Sequence, residues 1–366
     1  MSASTPLVSS PPALELGRRR PEDRAALVEM YREVFGAGEA EANLERWRWQ
    51  YEENPFCTAE GPEIWIAREG GTILGQYATM PVRLKVRDSV LRASWGMDVM
   101  VRRNLQRRGV GTQLFLYWDQ HVEASLGLGL SAGSYNLFKK LKWQDVGPVP
   151  CYTKPIDLRV LASRHVGKTV AAVVAPALKA LVTVLFPARK VAPGAHRVQV
   201  TRLEGAFDSA FDALWDNASR GYDFIAERTS AYLDWKFKRA PHVSYEVFQA
   251  TREGALSGYM VLRVQERPAV RLGLIVDLFA HPEDHATLDA LLAHAILWGN
   301  ENRVGRLQTF TLDRRIGARL RRLGFFETYS PMQFCLKIHG GVDETFFSDT
   351  SRWHVTFGDS DQDRRP

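Results

Sequence analysis

The residues best suited to chemistry lie between Gly96 and Thr112, in the run GMDVMVRRNLQRRGVGT. Val99, Met100 and Val101 are a short apolar run with a β-branched residue at either end, which predicts a strand. Basic and polar residues then lead into Gln106-Arg107-Arg108-Gly109-Val110-Gly111-Thr112, and the apolar run Leu114 to Trp118 predicts a helix. A strand, a basic glycine-bearing turn and a helix N-terminus make an anion site. The first-turn N–H groups have no intrahelical partner and carry the positive end of the dipole. The glycines let the backbone close on a phosphate with no Cβ in the way. Asp98, one residue before the strand, is a carboxylate that could take a proton there or could tie down the strand.

The elements that must position this stretch follow from periodicity. A helix opens at Pro21, with Ala25, Leu27, Val28, Tyr31, Val34 and Phe35 at helical spacing. A second helix, Asn43 to Tyr51, ends at Asn54-Pro55. Glu63 to Arg68 and Thr72 to Thr79 form a hairpin through Glu69-Gly70-Gly71, and Val82 to Val86 and Val90 to Ser94 are a further strand pair. After the glycine turn the helix runs to about Glu123. A strand from Leu126 to Ala132, a short helix from Tyr135 to Leu141 and a strand from Trp143 to Pro155 close the half.

At 366 residues the chain has room for two or three domains. Its 45% apolar and 25% charged residues are those of an ordinary soluble protein. The net charge of +6 and pI near 9.2 favour acidic ligands without choosing among them. Cys57, Cys151 and Cys335 are odd in number, far apart and without metal-ligand spacing, which fits a reducing compartment. Residues 1–20 place their basic residues after a mixed stretch, unlike a secretory signal, and read as a disordered lead. The expected location is the cytoplasm.

The second half repeats the first. Trp49-x-Tyr51-x-x-x-Pro55 recurs as Trp235-x-Phe237-x-x-x-Pro241, and Ala67 to Tyr77 recurs as Ala250 to Tyr259. Met97-Asp98-Val99-Met100 recurs as Val276-Asp277-Leu278-Phe279, and Phe138 to Trp143 as Leu320 to Phe325. The matches keep one order, as a duplicated domain would. Where the first copy has its glycine turn, the second has His281-Pro282-Glu283-Asp284-His285-Ala286-Thr287-Leu288, whose acids would repel a pyrophosphate. His281 and His285 sit four apart, but Pro282 and the missing third ligand disfavour zinc.

Gln106, Gly109 and Gly111 fit [Q/R]-x-x-G-x-[G/A], and in this strand–loop–helix context the stretch resembles motif A of the GNAT superfamily of N-acyltransferases. Leu141-Lys142-Trp143 stands where that family often has Leu-Gly-Phe or Leu-Gly-Trp. Trp143 to Asp157 resembles the closing strand of GNAT proteins often found beside polysaccharide-biosynthesis genes. The resemblance implies an α+β fold of two tandem GNAT-like domains, each a mixed, mostly antiparallel sheet flanked by helices. Residues 21–157 would be the cofactor-binding copy and 198–340 a degenerate one. Residues 158–197 would join them, and 341–366 would be a tail with one strand-like piece, Trp353 to Phe357, and a polar, frayed end.

The same resemblance implies acyl-CoA as co-substrate and no metal. The pyrophosphate would lie on Gln106, Arg107, Arg108, Gly109, Val110, Gly111 and Thr112. The pantetheine arm would pair with the backbone of Val99, Met100 and Val101. Asp98 is then the candidate base. The family's acid position, often tyrosine, holds Phe138, so Tyr135 substitutes or the thiolate leaves unaided. The acceptor would be a primary amine, with an amino sugar or nucleotide-linked amino sugar leading and no nucleic acid expected.

The alternatives are a non-catalytic acyl-CoA-binding module and an aminoacyl-tRNA-dependent relative. Ala162 to Thr169 ends like a nucleoside-triphosphate loop but lacks its first glycine. The apolar run Val166 to Phe186 reads as a helix between domains or, through residues 158–190, as a peripheral contact with the inner face of a membrane. Arg314, Arg315, Arg319, Arg321 and Arg322 read as a solvated basic face or as a dock for an acidic acceptor.

Overall fold

The computed structural model describes residues 14–157 and 192–363 apart from Arg107, Ala269, Gly341 and Glu344, and in addition Pro176 and Ala177. The apolar run Val166 to Phe186 and the loop-like Ala162 to Thr169 therefore lie outside the described residues, as does Arg107. The first half contributes β1 (Glu15–Arg18), β2 (Ile64–Glu69), β3 (Thr72–Val86), β4 (Ser89–Val101), β5 (Ala124–Leu128), β6 (Gln144–Pro148) and β7 (Cys151–Pro155). Its helices are α1 (Arg24–Phe35), α2 (Ala37–Trp47), α3 (Val110–Asp119) and α4 (Ala132–Lys140). The second half adds β8 (Val198–Arg202), β9 (Phe224–Ala226), β10 (Glu246–Arg252), β11 (Ala255–Arg267), β12 (Val270–Ala280), β13 (Arg306–Phe310), β14 (Phe326–Thr328), β15 (Gln333–Ile338) and β16 (Trp353–His354). Its longer helices are α5 (Ser209–Ala218), α6 (His285–Glu301) and α7 (Arg314–Arg322).

These strands form two mixed sheets flanked by helices, as expected. One runs β1-β2-β3-β4-β5-β15-β6, with β9 on the far end of β3 and β16 on β9; the other runs β14-β7-β13-β12-β11-β10-β8. The β2–β3 hairpin turns at Gly70 and Gly71, both with positive φ, and Glu253-Gly254 makes the matching turn between β10 and β11. The strands expected separately at Thr72 to Thr79 and Val82 to Val86 are one continuous strand, β3, and those expected at Val90 to Ser94 and Val99 to Val101 are one strand, β4; the polar Gln76, Thr79 and Ser94 are buried within them.

The sheets do not divide where the sequence does. The stretch expected as one strand from Trp143 to Pro155 breaks into β6, which stays in the first sheet, and β7, which pairs with β13 and β14 in the second. In return β15, near the end of the second half, inserts between β5 and β6 of the first. Lys337 and His339 then pair across the halves with buried Asp119, at 2.6 and 3.0 Å.

The repeated Trp-x-aromatic motifs both fall on π-helical turns, Arg48–Glu52 and Asp234–Lys238. Trp49 and Trp235 stack at 4.9 Å, and each indole N–H donates to the other's carbonyl, at 2.7 and 2.8 Å.

Two expectations about the ends are corrected. Within the lead expected to be disordered to residue 20, Glu15–Arg18 is a strand paired with β2. The tail is ordered and buried: Trp353, Val355, Asp359, Ser360 and Asp363 are each at most 2% exposed. Asp359 meets Arg228 of the second half, Asp361 reaches Arg46 of the first, and Asp363 accepts from Tyr245, so their polarity does not mark solvation.

Candidate active site

β4 and β5 pair in parallel only from Ala93↔Ala124 to Trp95↔Leu126. Beyond that point β4 stays with β3 while β5 follows β15, so Gly96 to Val101 present an open strand edge. Burial alternates along this edge: Val99 is exposed, Met100 is buried among the α1–α2 residues, and Val101 is half-buried. Of the three expected strand contacts, Val99 and Val101 turn their side chains to the cleft, and Met100 can offer only backbone.

Gly109 caps α3 with φ +88°, a left-handed conformation that other residues adopt under strain. A Cβ there would meet nothing within 4 Å, and one at Gly111 would meet only the Val101 side chain at 3.6 Å. The backbone of the turn thus faces open space. The cleft in front of it, about 260 Å³, is lined by Val99, Val101, Leu105, Gln106, Gly109, Gly111, Thr112, Phe115, Gly133, Ser134, Leu137 and Phe138, with Tyr77 at its base. Gln106 donates to the Val101 carbonyl at 3.3 Å, which ties the loop to the strand end. Arg108 is exposed beside it, and Val110 is buried beneath. Open N–H groups, an unpaired strand edge and a narrow cleft between them fit a pyrophosphate with an extended arm.

α4 closes the other wall. Phe138 is buried between Phe115 and Trp143, with ring centroids at 4.7 and 4.5 Å, which accounts for an aromatic without a hydroxyl. Tyr135, the candidate acid, is turned toward β6. Its hydroxyl donates to Asp145 of β6 at 2.5 Å, and that bond, then burial, pushes it up to about 12. Tyr135 lines neither cleft. Ser134, one residue earlier, lines both, as does Tyr77, whose hydroxyl lies against Gly96 so closely that a Cβ there would sit 2.3 Å from it. Burial raises the Tyr77 phenol well above its ordinary value, so it keeps its proton.

A second cleft of about 330 Å³ continues from the first and shares Tyr77, Val99, Ser134 and Phe138 with it. Asp98 lies in its wall. A β-bulge sets Met97 and Asp98 opposite a single residue of β3, between the pairs Tyr77↔Val99 and Thr79↔Gly96, and this re-aims the carboxylate. Asp98 Oδ2 accepts from the Tyr51 hydroxyl at 2.7 Å and from Arg46 at 3.4 Å. Burial, then the Asp98 charge, lifts both Tyr31 and Tyr51 well above the phenol range.

The opposite wall comes from the far end of the chain. Asp361 and Gln362 line this cleft beside Gly129 and Leu130, and Gln362 Nε2 donates to the Leu128 carbonyl at 3.0 Å. Arg46 reaches Asp361 at 3.9 Å as well as Asp98. Sequence reasoning missed Tyr77, Ser134, Arg46 and Asp361. The first two lacked a motif, and the last two needed the fold to bring them 315 positions together.

The corresponding place in the second half is filled. β12 and β13 pair in parallel only over Leu272↔Arg306 to Leu274↔Gln308, leaving the same kind of edge. There Gly358 N–H donates to the Val276 carbonyl at 2.8 Å, and His354 Nε2 meets the Leu278 carbonyl at 2.9 Å. Asp277, matching Asp98, accepts from Tyr259 at 2.8 Å and Thr356 at 3.0 Å and faces Arg228 at 3.5 Å. Where the glycine turn would be, Asp284 caps α6 through Thr287 and pairs with Arg252 at 2.9 Å. His281 and His285 both attend to Glu283, and among the described residues no three His, Cys, Asp or Glu side chains gather as a metal site.

The arginine run on α7 is not a simple solvated face. Arg315 is held by Asp313, buried Arg319 by Asp289, and Arg321 by Tyr152 and Glu327. Among the described residues no helix is long and apolar enough to cross a membrane.

Residues 18–134 match the family described as acetyltransferase (GNAT) domain. The fold is similar to that of a GCN5-related N-acetyltransferase from Anabaena variabilis, with a TM-score of 0.61 and 9% identity over 89% of this chain and 73% of that one. A probable N-acyltransferase from Enterococcus faecalis gives 0.57 and 12% over 89% and 72%. The N-myristoyltransferase of Saccharomyces cerevisiae with bound myristoyl-CoA gives 0.52 and 12% over 92% and 84%. No curated protein matches the sequence. At such identities the likeness is one of fold, and that fold is the GNAT fold.

Proposed function

We propose that this protein is an acyl-CoA-dependent N-acyltransferase that acylates a primary amine, using the first half's cleft. The observation that carries this is the open turn at Gly109 and Gly111 beside the unpaired edge of β4, running into a second, polar cleft that holds Asp98. A thioester held on that edge brings its carbonyl carbon to the junction of the two clefts. The amine nitrogen bonds to that carbon, the carbon–sulfur bond breaks, and an N–H of the Val99 to Val101 edge steadies the oxyanion. Asp98 faces the amine side and receives its proton directly or through water. Tyr77 and Ser134, at the junction, are the hydroxyls placed to donate hydrogen bonds to the departing thiolate, which is a fair leaving group at a pKa of about 8.5.

Asn43, Ser131 and Gln362 give the acceptor cleft hydrogen-bonding partners suited to a hydroxylated amine such as an amino sugar. The use of acyl-CoA fits a cytoplasmic enzyme. The acceptor class is tested by thiol release from acetyl-CoA against a panel of amino sugars, nucleotide-linked amino sugars and simple alkylamines. No release with any of them, from a protein that binds acetyl-CoA, would leave a binding module.

Asp98→Asn is expected to lower turnover by about 10²–10⁴-fold. Acetyl-CoA affinity should change little, because the pyrophosphate contacts lie at the other end of the groove. Tyr135→Phe should keep near-full turnover, since its hydroxyl serves Asp145. Steady-state rates beside calorimetry check both; full activity in a folded Asp98→Asn protein removes that carboxylate from the mechanism.

The filled edge of β12 and the acidic cap of α6 lead to a stoichiometry. Titration with acetyl-CoA should saturate at one equivalent per chain, and two equivalents would show that the second half binds as well.

A further inference from the structure

The acceptor cleft is completed by Asp361 and Gln362 of the hook Asp359 to Asp363, and three of the hook's five residues are gripped by the second half. Arg228 donates to Asp359 at 3.0 Å and Lys236 to the Ser360 carbonyl at 2.5 Å, while Tyr245 and Arg263 hold Asp363. Gln362 anchors the same hook to β5 of the first half. Asp361 lies between these anchors with its side chain 15% exposed, and it lines the cleft that Asp98 lines. We infer that Asp361 and Asp98 form a carboxylate pair that receives the acceptor as an ammonium ion and takes its proton. This rests on the acyl-transfer reading, and it gives the second half a role: holding the hook in the first half's site.

The residues lining this cleft include two carboxylates and no Lys, Arg or His. Such a wall favours a cationic ligand and disfavours phosphate, so a nucleotide-linked acceptor would have to keep its phosphates outside. The groups that face Asp361 are Asp98 from β4, Arg46 from α2, Lys236 from the π-turn and Asp363 from the hook. Burial first, then the Asp98 charge, raises Asp361 to about 6 against the pull of Arg46 and Lys236. It is ionised at neutral pH, yet a stronger base than an ordinary carboxylate. The ammonium passes one proton to the Asp98–Asp361 pair and on to solvent. The neutral nitrogen then bonds to the thioester carbon, the carbon–sulfur bond breaks, and the nitrogen's second proton ends on the departing sulfur.

A base poised in this way costs stability, which gives a readout independent of turnover. Because the folded value lies above the ordinary 3.8, the cost appears as pH rises through about 4 to 6 and is complete above that range. Asp361→Asn removes it, so its Tm at pH 8 should exceed that of wild type. A merely structural, well-paired aspartate would give a lower Tm.

The test compares wild type, Asp361→Asn, Asp98→Asn and the double variant, with acetyl-CoA and either glucosamine, spermidine or butylamine. Asp361→Asn should lower turnover by about 10²–10⁴-fold with acetyl-CoA affinity unchanged. The double variant should fall little below the worse single, as residues acting as a unit do. In Asp98→Asn the residual activity should keep its acid limb, moved to lower pH, because one charge that raised Asp361 is gone. Full turnover in a folded Asp361→Asn protein, or a lower Tm at pH 8, overturns the pair. Wild type that binds acetyl-CoA but releases no thiol with any of the three amines overturns the transferase reading, and this inference with it.

Discussion

Gly109→Asp and Gly111→Asp proteins are expected to fold and to lose acetyl-CoA binding. The fold should survive because neither position is crowded: the Gly109 Cβ would meet nothing within 4 Å, and the Gly111 Cβ only Val101 at 3.6 Å. At Gly109 the positive φ adds strain, and aspartate tolerates that conformation better than most residues do. Binding should fail because the new carboxylate stands where a pyrophosphate must approach the first-turn N–H groups. Two unit charges about 4 Å apart near a protein surface repel by about 4 kcal/mol, or about a thousandfold in affinity. Gly111→Ala is the control, since it adds volume without charge and should bind within about tenfold of wild type. Calorimetry and circular dichroism together check the set. Unchanged affinity in a folded aspartate variant would remove the acyl-CoA site from this turn.

The second large effect lies far from that cleft. Arg228, 2% exposed, reaches Asp359 at 3.0 Å, Asp277 at 3.5 Å and the Ala226 carbonyl at 2.6 Å. Burial pushes the Asp277 carboxyl up, but Arg228, His354 and the hydrogen bonds from Tyr259 and Thr356 outweigh it and hold it below the usual range. Arg228→Met leaves two buried carboxylates facing each other without their cation. The expected loss is about 3–5 kcal/mol in urea unfolding at pH 7.

The pH dependence carries a sign. In wild type the depressed Asp277 contributes stability above its unfolded value, and that contribution fades as pH falls through the folded one. In Arg228→Met the folded value should rise above the unfolded one, so acidification toward the carboxylate range should recover part of the loss. A variant that loses under about 1 kcal/mol, or has the wild-type slope, would show that the tail is not held by this charge.

What could be read from the sequence was what repeats or sits in a local motif. The α+β layering and the glycine turn that opens α3 rest on residues close together in the chain. Tyr135 and Ser134 show the limit of counting. They flank the buried Phe138 on one helix and lie a single step of about 100° apart, which sends one to β6 and the other to the groove. Position in a helical run could not choose between them without knowing where α4 begins.

The strand exchange was illegible for a different reason. β7 and β15 have the alternation of any half-buried strand, and either sheet would satisfy it. The hook was misread because Asp359, Ser360, Asp361, Gln362 and Asp363 have the composition of a solvated end. Its partners, Arg228, Lys236, Tyr245 and Arg263, lie about a hundred residues or more upstream. On α7 the same blindness hid the buried Asp313 and Asp289 that hold Arg315 and Arg319, while Arg314 and Arg321 do face solvent.

The exchange of β7 for β15 also fixes the order in which the protein can mature during synthesis. The first half leaves the ribosome with its sheet unfinished, since β6 and β5 must wait for Gln333–Ile338 to come between them. Until then Leu126 and Leu128 keep an open strand edge, a template on which a second nascent chain could pair. Contacts spanning some two hundred residues close slowly, because the loop entropy is lost before the pairing rewards it. The second cleft is therefore completed last and all at once, when β15 and the hook downstream of it reach the half made first.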